Sequence, residues 1–262
     1  MTLRITNAFL HKYSLKVALP VILRDRFIVD GERDYGGVVC LSFDCDSAED
    51  MQRTPSLLDL LKEREIPTSF ALIGRLVQAH ENVAKDVLKY GHEIVNHSSS
   101  HPQKFRVLSS AEIRKEVESF QNLMINSYGY RPKGFRAPHL MKSYSEALFH
   151  ILHENSLYDT SYVGRGVSMI DGVVEIPLTA CPDHRQVCFD YWHNFQFPFV
   201  SCGSKQFLKL WEQLVRTGDL ISVYFDPRLV TGDFLQEIVQ RVPENFRFCR
   251  LEDVAKLIEG PA

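Results

Sequence analysis

The sequence predicts an α/β domain in which parallel strands are joined by crossover helices. Short apolar runs that are typical of buried strands alternate with segments of helical periodicity from residue 37 onward. The chain has 262 residues, 45% hydrophobic and 24% charged, which is enough to bury a full core. We find no internal repeat, low-complexity tract or linker in the sequence. We therefore expect one domain over residues 37–262, preceded by an N-terminal arm over residues 1–36.

The individual elements follow from capping signals and periodicity. A first helix is expected to begin at Thr54, because threonine is a common N-cap and Pro55 suits the first helical position. A second helix is expected over residues 76–90, and a third after the capping box of Ser109 and Glu112. Further helices are expected at 145–155, around 207–214, at 233–242 and from 252 onward. Strands are expected at 37–42, 68–74, up to residue 97, at 134–139, 158–162, 173–178, 220–226 and 246–250.

Charge and composition exclude several classes of protein. Thirty basic and 33 acidic residues give a formal net charge of −3, so bulk charge does not favour binding to nucleic acid or to an anionic membrane. The six cysteines lack the paired spacing of a zinc ribbon, and we expect reduced thiols. The apolar stretch 17–23 contains Pro20 and is flanked by basic residues, which predicts neither a signal peptide nor a membrane span. A cytoplasmic location is therefore expected, with peripheral membrane contact through residues 1–29 as an alternative.

Polar residues stand at or just after the ends of the predicted strands. They are Asp44, Asp46, His97, Arg136, His139 and Asp226. Ligands bind beyond the carboxyl ends of parallel strands, so these residues are expected to meet on one rim. His97 and His101 are four residues apart, and with Asp46 they supply three ligands and leave a position open for water. We therefore expect a divalent metal, zinc first, with cobalt, nickel, manganese or iron as alternatives.

Three short motifs carry these residues, namely Phe43-Asp44-Cys45-Asp46, His97-Ser98-Ser99-Ser100-His101 and Arg136-Ala137-Pro138. They resemble the motifs of the polysaccharide deacetylase family, the NodB-homology enzymes of carbohydrate esterase family four. The resemblance extends over roughly residues 37–258 and includes the segments 67–70, 158–161 and 175–177. It implies a distorted (β/α) barrel of the NodB-homology type with about seven parallel strands. It also implies a divalent metal and hydrolysis of an acetyl group on a sugar.

The resemblance further implies a role for each residue. Asp44 corresponds to the base that removes the proton of the attacking water, and Arg136 to the arginine that pairs with this base. The backbone N–H of His139, after the proline of the third motif, corresponds to a donor to the oxyanion. A metal on Asp46, His97 and His101 would lower the pKa of bound water and polarise the carbonyl.

The sequence departs from the family pattern near its last strand. Asp226 stands where many members have a histidine that serves as general acid. Aspartate has an ordinary pKa of about 3.9, although burial can raise it. Three alternatives are open: Asp226 is a protonated acid, another group such as His184, His193 or Asp44 returns the proton, or activity is reduced or lost. Asp159 is a candidate for orienting the site from behind, with a purely structural role as the alternative.

These observations predict a metal-dependent hydrolase that removes an acetyl or similar acyl group from an amino sugar, a polysaccharide or a glycan precursor. One alternative is hydrolysis of another carbon–nitrogen bond, as in allantoinase-like relatives. The other is a catalytically impaired metal- or carbohydrate-binding protein. The expected partner is a carbohydrate, and an oligomer is compatible with the sequence. Four aromatic residues could line a sugar groove or pack in a core or an oligomer contact, namely Tyr191, Trp192, Phe195 and Phe197.

Overall fold

The computed structural model describes residues 28–31, 34–182 and 203–259. Its strands are β1 (Ile28–Asp30), β2 (Val38–Cys45), β3 (Ser69–Leu72), β4 (Glu93–Asn96), β5 (Gly134–Phe135), β6 (Tyr158–Asp159), β7 (Val163–Arg165), β8 (Ser168–Ile170), β9 (Val173–Glu175), β10 (Leu178–Thr179), β11 (Leu220–Phe225) and β12 (Arg247–Phe248). Its α-helices are α1 (Ala48–Glu63), α2 (Gly74–Ala79), α3 (Glu81–Lys89), α4 (Ser110–Tyr128), α5 (Glu146–Glu154), α6 (Gly203–Thr217), α7 (Gly232–Val239) and α8 (Leu251–Glu259).

The strands form two sheets that curl into a half-barrel. The larger sheet has nine strands in the order β11-β2-β3-β4-β5-β6-β9-β8, and β12 pairs with the start of β2. The smaller sheet has the order β1-β7-β10. Every strand pair in the described residues is parallel except β8 with β9. The backbone N–H of Ser222 in β11 donates to Oγ1 of Thr179 in β10 at 2.8 Å, which links the two sheets. The predicted α/β class with a curled, mostly parallel sheet is thus confirmed, although the larger sheet has nine strands and the prediction was about seven.

The centre of the larger sheet is covered by apolar side chains. All eight residues of β2 are buried, as expected for a parallel strand with both faces covered. The ring of Phe43 lies 5.2 Å from that of Phe70 in β3 and 6.2 Å from that of Phe225 in β11. Trp211 of α6 is fully buried in the same cluster. Phe43 is the register partner of Phe225, so Asp44 and Asp226 leave neighbouring strands at the same level.

The first helix begins earlier than predicted. Its N-cap is Ser47, which forms a reciprocal capping box with Asp50, and Pro55 lies inside the helix. The prediction of a start at Thr54 was wrong because the capping box satisfies two backbone donors at the true start. Thr54 instead donates its hydroxyl to the carbonyl oxygen of Asp50 at 2.8 Å. This extension brings the start of α1 directly behind Asp46.

The predicted helix over residues 76–90 is two helices, α2 and α3, separated at His80, whose backbone is not helical. The start of α2 depends on contacts distant in sequence, because the N–H groups of Gly74 and Arg75 donate to the carbonyls of Ser98 and Ser99. The predicted strands at 158–162 and 173–178 are also broken, because the chain passes between the two sheets there. The helix after Ser109 is confirmed with its capping box and ends at Gly129 in a left-handed conformation.

Within the described residues, no helix is both long and apolar enough to cross a bilayer. Four cysteines are free thiols, as predicted, namely Cys40, Cys45, Cys181 and Cys249. Cys188 and Cys202 lie outside the described residues, as does most of the predicted N-terminal arm. The last part of that arm forms β1, which pairs with β7. The proposed boundary at residue 37 stays a prediction.

Candidate active site

The structure brings the predicted strand-end residues to one edge of the half-barrel. His97 follows β4, Arg136 follows β5 and Asp226 follows β11, in each case directly. Asp44 is near the end of β2, and Asp46 is the first residue beyond it. All of them except the fully buried Arg136 border one cavity of about 430 Å³, whose lining consists of Asp44, Asp46, His97, Ala137, His139, Leu140, Tyr224, Asp226 and Arg228.

Asp46, His97 and His101 place one donor atom each within 4.8 Å of one another. Oδ1 of Asp46 lies 3.2 Å from Nε2 of His97 and 3.4 Å from Nε2 of His101. Nδ1 of His97 donates to the carbonyl oxygen of Arg136 at 2.8 Å. Because a carbonyl only accepts, Nδ1 carries a hydrogen, and in the neutral imidazole that a metal ligand requires the lone pair of Nε2 would face the other two donors.

His101 reaches the same point through a tightly constrained loop. Ser98 and His101 both have positive φ, of 65° and 57°, a conformation that non-glycine residues rarely adopt. Two hydrogen bonds hold it: Ser98 N–H donates to Oδ1 of Asn96 at 2.9 Å, and His101 N–H donates to Oγ of Ser98 at 3.0 Å. The ring of His139 packs edge-on against that of His101, with centroids 4.6 Å apart.

The donor set fits a divalent metal. Oδ1 of Asp46 and Nε2 of His101 are buried and have no hydrogen-bond partner, an arrangement that costs free energy unless another group satisfies them. Burial raises the pKa of Asp46, but His97 and His101 outweigh it and hold that pKa at about 2. Burial, together with the charge of His97, lowers the pKa of His101 to about 4. At neutral pH these two residues therefore have the protonation states that a metal ligand needs.

Asp44 and Arg136 form a buried ion pair beside the three donors. Nη1 of Arg136 donates to Oδ1 of Asp44 at 2.5 Å, while Oδ2 of Asp44 lies 4.0 Å from Nε2 of His97. Burial raises the pKa of Asp44 above its ordinary value, although Arg136 and His97 act in the opposite direction. The predicted pairing is present, and a raised pKa brings the carboxyl closer to what a general base at neutral pH requires.

Arg136 is itself held from behind. Its guanidinium lies 5.6 Å from the ring centroid of Tyr224, and Nε donates to the carbonyl oxygen of Thr160 at 3.4 Å. The next residue, Ala137, donates its N–H to Oγ of Ser161 at 2.8 Å. Ser161 in turn donates to Oδ1 of Asp159 at 2.5 Å, so the candidate orienting residue Asp159 acts on the third motif through a serine.

Asp159 shares its environment with a second buried carboxyl. Glu175 is its register partner across β6 and β9, and neither residue is exposed to solvent. Burial raises the pKa of Asp159 to about 6, and burial together with the charge of Asp159 raises the pKa of Glu175. Two adjacent buried carboxylates repel each other, and protonation of either one relieves this repulsion.

His139 lies at the mouth of the cavity with a positive φ of 58°, directly after the proline of the third motif. In this conformation the imidazole of His139 packs against the ring of His101, and its main chain lies beside the cavity. Burial lowers the pKa of the His139 imidazole. The position is compatible with the main-chain role that the motif implies.

Asp226 is buried, lines the cavity and forms an ion pair with Arg228. Nη2 of Arg228 donates to its Oδ2 at 2.6 Å, and Nη1 of the same guanidinium donates to Oδ2 of Asp50 at 2.6 Å. The sequence prediction misses Arg228, Asp50 and Tyr224. The one sequence signal for Arg228 is its place two residues after Asp226. His184, His193 and the four aromatic residues at 191–197 lie outside the described residues.

The fold and the site together define a class of protein: an α/β half-barrel with a carboxylate–histidine centre and an arginine-paired aspartate at the strand ends. Residues 32–158 match the family model described as polysaccharide deacetylase, which confirms the resemblance of the motifs. The match includes the first three motifs and ends before β11, so the departure at Asp226 lies outside it.

Similar proteins are named as deacetylases of glycans. A peptidoglycan-N-acetylglucosamine deacetylase of Bacillus cereus is 33% identical over 101 residues, which are 38% of this chain and 36% of that protein. The matched region therefore spans only about a third of the relative's length.

Solved structures share the fold over most of the chain. One from Mycobacterium smegmatis, assigned as a polysaccharide deacetylase, has a TM-score of 0.74 at 17% identity and covers 88% of this chain and 93% of its own. A carbohydrate esterase family four pseudoenzyme from Bacillus anthracis has a TM-score of 0.63 at 16% identity, with coverage of 89% and 71%.

Proposed function

We propose that this chain is a divalent-metal-dependent deacetylase that hydrolyses the N-acetyl group of an amino sugar in a glycan or glycan precursor. The observation that carries the proposal is the position of the Asp44–Arg136 pair beside three converging donor atoms. The glycan substrate is supported by the similarity to a peptidoglycan-N-acetylglucosamine deacetylase. The cytoplasmic location and an oligomeric state stay predictions.

Asp46, His97 and His101 would hold the metal, zinc in the first place. A metal bound there lowers the pKa of a water molecule and polarises the acetyl carbonyl. Asp44 then acts as the base through Oδ2, the oxygen that faces His97, while Arg136 holds the other oxygen and fixes the carboxylate plane. The backbone N–H of His139 is the donor that we assign to the developing oxyanion.

Proton return to the leaving amine is the step that the Asp226 substitution affects. The bond from Arg228 favours the ionised form of Asp226, which accepts hydrogen bonds but has no proton to give. Asp44 carries a proton once it has taken one from water, and it lies on the metal side of the same cavity. We therefore assign proton return to Asp44, ahead of Asp226.

The direct test is acetate release from N-acetylated oligosaccharides by the purified chain loaded with Zn²⁺ or Co²⁺. Asp44→Asn is the matched control, because it preserves size and metal ligands but removes the base. We expect turnover by the wild type and a kcat at least about 100-fold lower for the variant. A metal-loaded wild type that releases no acetate from chitin-type and peptidoglycan-type substrates would contradict the proposal. An assay with cyclic amides tests the allantoinase-like alternative on the same samples.

A second candidate function is metal binding with impaired catalysis, and the ion pair of Asp226 with Arg228 favours it. Asp226→His separates the two candidates, because it introduces the side chain that many family members have there. If the wild type binds metal without turnover and Asp226→His gains turnover, the impaired protein is the correct description. If the wild type is active and Asp226→His adds nothing, the deacetylase stands.

A further inference from the structure

The half-buried guanidinium of Arg228 joins the end of β11 to the start of α1. Arg228 belongs to the 3-10 helix Pro227–Leu229, which directly follows Asp226. Its Nη2 donates to Oδ2 of Asp226 at 2.6 Å, and its Nη1 donates to Oδ2 of Asp50 at 2.6 Å and to Oγ of Ser47 at 3.3 Å. Its backbone N–H donates to the other oxygen of Asp50 at 3.2 Å. One side chain thus links two segments that border the cavity.

The α1 end of this bridge lies directly beside the metal ligand. Ser47 is the residue after Asp46 and the N-cap of α1. The carboxylate of Asp50, which is 0% exposed, accepts from the backbone N–H of Ser47 at 3.0 Å and from its hydroxyl at 2.6 Å. Arg228 orients this carboxylate, and the carboxylate orients Ser47. The direction in which Asp46 leaves β2 is therefore coupled to Arg228.

The bridge requires the shape of arginine. Two carboxylates, Asp226 and Asp50, are bonded to different nitrogens of one planar group. A lysine ammonium has the same charge, but it is a single point and lacks the fork that reaches both carboxylates. Removal of the guanidinium would leave the buried carboxylate of Asp50 without the cation that neutralises it.

We propose that Arg228 is a positioning residue for the metal ligand Asp46, and that Asp226 is the second anchor of this bridge instead of a proton donor. The inference rests on the proposed function only in taking Asp46 as a metal ligand. It explains the departure from the family pattern: an aspartate at this position gives Arg228 a partner, whereas a histidine would not.

The test measures Co²⁺ binding in two ways: the affinity by titration, and the coordination of the bound ion by its visible absorption spectrum. Arg228→Met is compared with Arg241→Met, because Arg241 also bridges two carboxylates, Glu212 and Glu237, on helices that do not carry the metal ligands. We expect about 10- to 100-fold weaker Co²⁺ binding and an altered spectrum for Arg228→Met, the range found when residues that support metal ligands are lost. Arg241→Met should bind as the wild type does, and Arg228→Lys should lie between.

A second variant guards against misfolding. Arg228→Met/Asp50→Asn/Asp226→Asn removes both buried carboxylate charges together with the guanidinium that pairs with them, so the protein is expected to fold, yet it lacks the bridge. We expect Co²⁺ binding to stay weakened. Wild-type affinity and spectrum in either variant would overturn the positioning role. Failure of the proposed function would give a different result. Co²⁺ would bind to the wild type and more weakly to Arg228→Met, but the wild type would deacetylate no substrate.

Discussion

Two aspartate–arginine pairs stand at the ends of neighbouring strands beside the cavity, and in only one of them does the aspartate lie within 4.0 Å of a donor atom of the candidate metal ligands. Asp44 with Arg136 and Asp226 with Arg228 have almost the same geometry, with N–O distances of 2.5 and 2.6 Å. All four residues are buried or mostly buried. The pairs differ in their surroundings. Oδ2 of Asp44 faces His97, whereas the guanidinium of Arg228 extends to Asp50, behind the start of α1.

We infer from this difference that an arginine-paired aspartate at a strand end does not by itself identify a catalytic residue. On the side of the candidate metal ligands, buried atoms of Asp46 and His101 have no hydrogen-bond partner, which favours the binding of a ligand there. On the side of β11, the buried carboxylates of Asp226 and Asp50 are matched by a cation. We infer that buried donor atoms without a hydrogen-bond partner mark where a ligand binds, whereas the ion pairs of Arg228 support the structure around that place.

The largest effect is expected when a candidate metal ligand is removed. His97→Ala deletes one of three donors, and we expect Co²⁺ or Zn²⁺ affinity to fall by more than about 100-fold, beyond the effect of losing a supporting residue. Deacetylase activity should fall below detection. Metal content and acetate release measure the two effects. His150→Ala is the control, since that histidine is exposed on α5, and equal losses in both variants would argue against the assigned ligand set.

The next largest effect is expected at the first of the two aspartates. Asp44→Asn should lower kcat by about 10²- to 10⁴-fold, the contribution of a positioned base, while metal content stays unchanged. Steady-state kinetics at equal metal loading provide the measurement. A variant with kcat near that of the wild type would show that Asp44 is not the base.

The second aspartate should tolerate the same change. We expect Asp226→Asn to lower kcat by less than about 10-fold, because an amide can still accept a hydrogen bond from Arg228 and no proton donor is lost. The ratio of the kcat of Asp44→Asn to that of Asp226→Asn measures how much more Asp44 contributes to turnover than Asp226 does. A loss at Asp226 as large as that at Asp44 would identify it as the general acid.

The supports of the two pairs should also differ in their response to pH. Behind Arg136, burial raises the pKa of Asp159 to about 6 and raises that of Glu175. Groups with raised folded-state pKa values stabilise fully below their unfolded values, about 4, and lose that contribution as pH rises through about 6. The unfolding free energy should therefore decrease over this range by on the order of 1–3 kcal/mol. Asp226, by contrast, is held by the guanidinium of Arg228.

Glu175→Gln tests this difference, because the amide mimics the protonated carboxyl at every pH. We expect a flatter pH dependence of the unfolding free energy between pH 5 and 8, measured by urea denaturation. Glu244→Gln, at an exposed position, is the matched control and should keep the wild-type slope. If the unfolding free energy of Glu175→Gln depends on pH as strongly as that of the wild type, protonation of the Asp159–Glu175 pair is not the cause of the pH dependence.

Much of the fold could be predicted because buried parallel strands are continuous apolar runs, as in β2, and helix ends carry capping residues, as at Ser109. The predictions were wrong where contacts distant in sequence decide an element. The start of α2 depends on carbonyls of Ser98 and Ser99, and the break between β6 and β7 depends on two sheets that compete for the chain. These contacts leave no local pattern.

The sequence alone was enough to predict the resemblance to the polysaccharide deacetylase family and the candidate metal ligands, because Asp46, His97 and His101 follow apolar strands within a few residues. Only the tertiary structure decided what surrounds Asp226. Its bridge through Arg228 joins residues 178 positions apart, and it exists because β11 pairs with β2 and brings the start of α1 within reach of the guanidinium. Ion pairs depend on distance in space, and sequence separation carries no information about it.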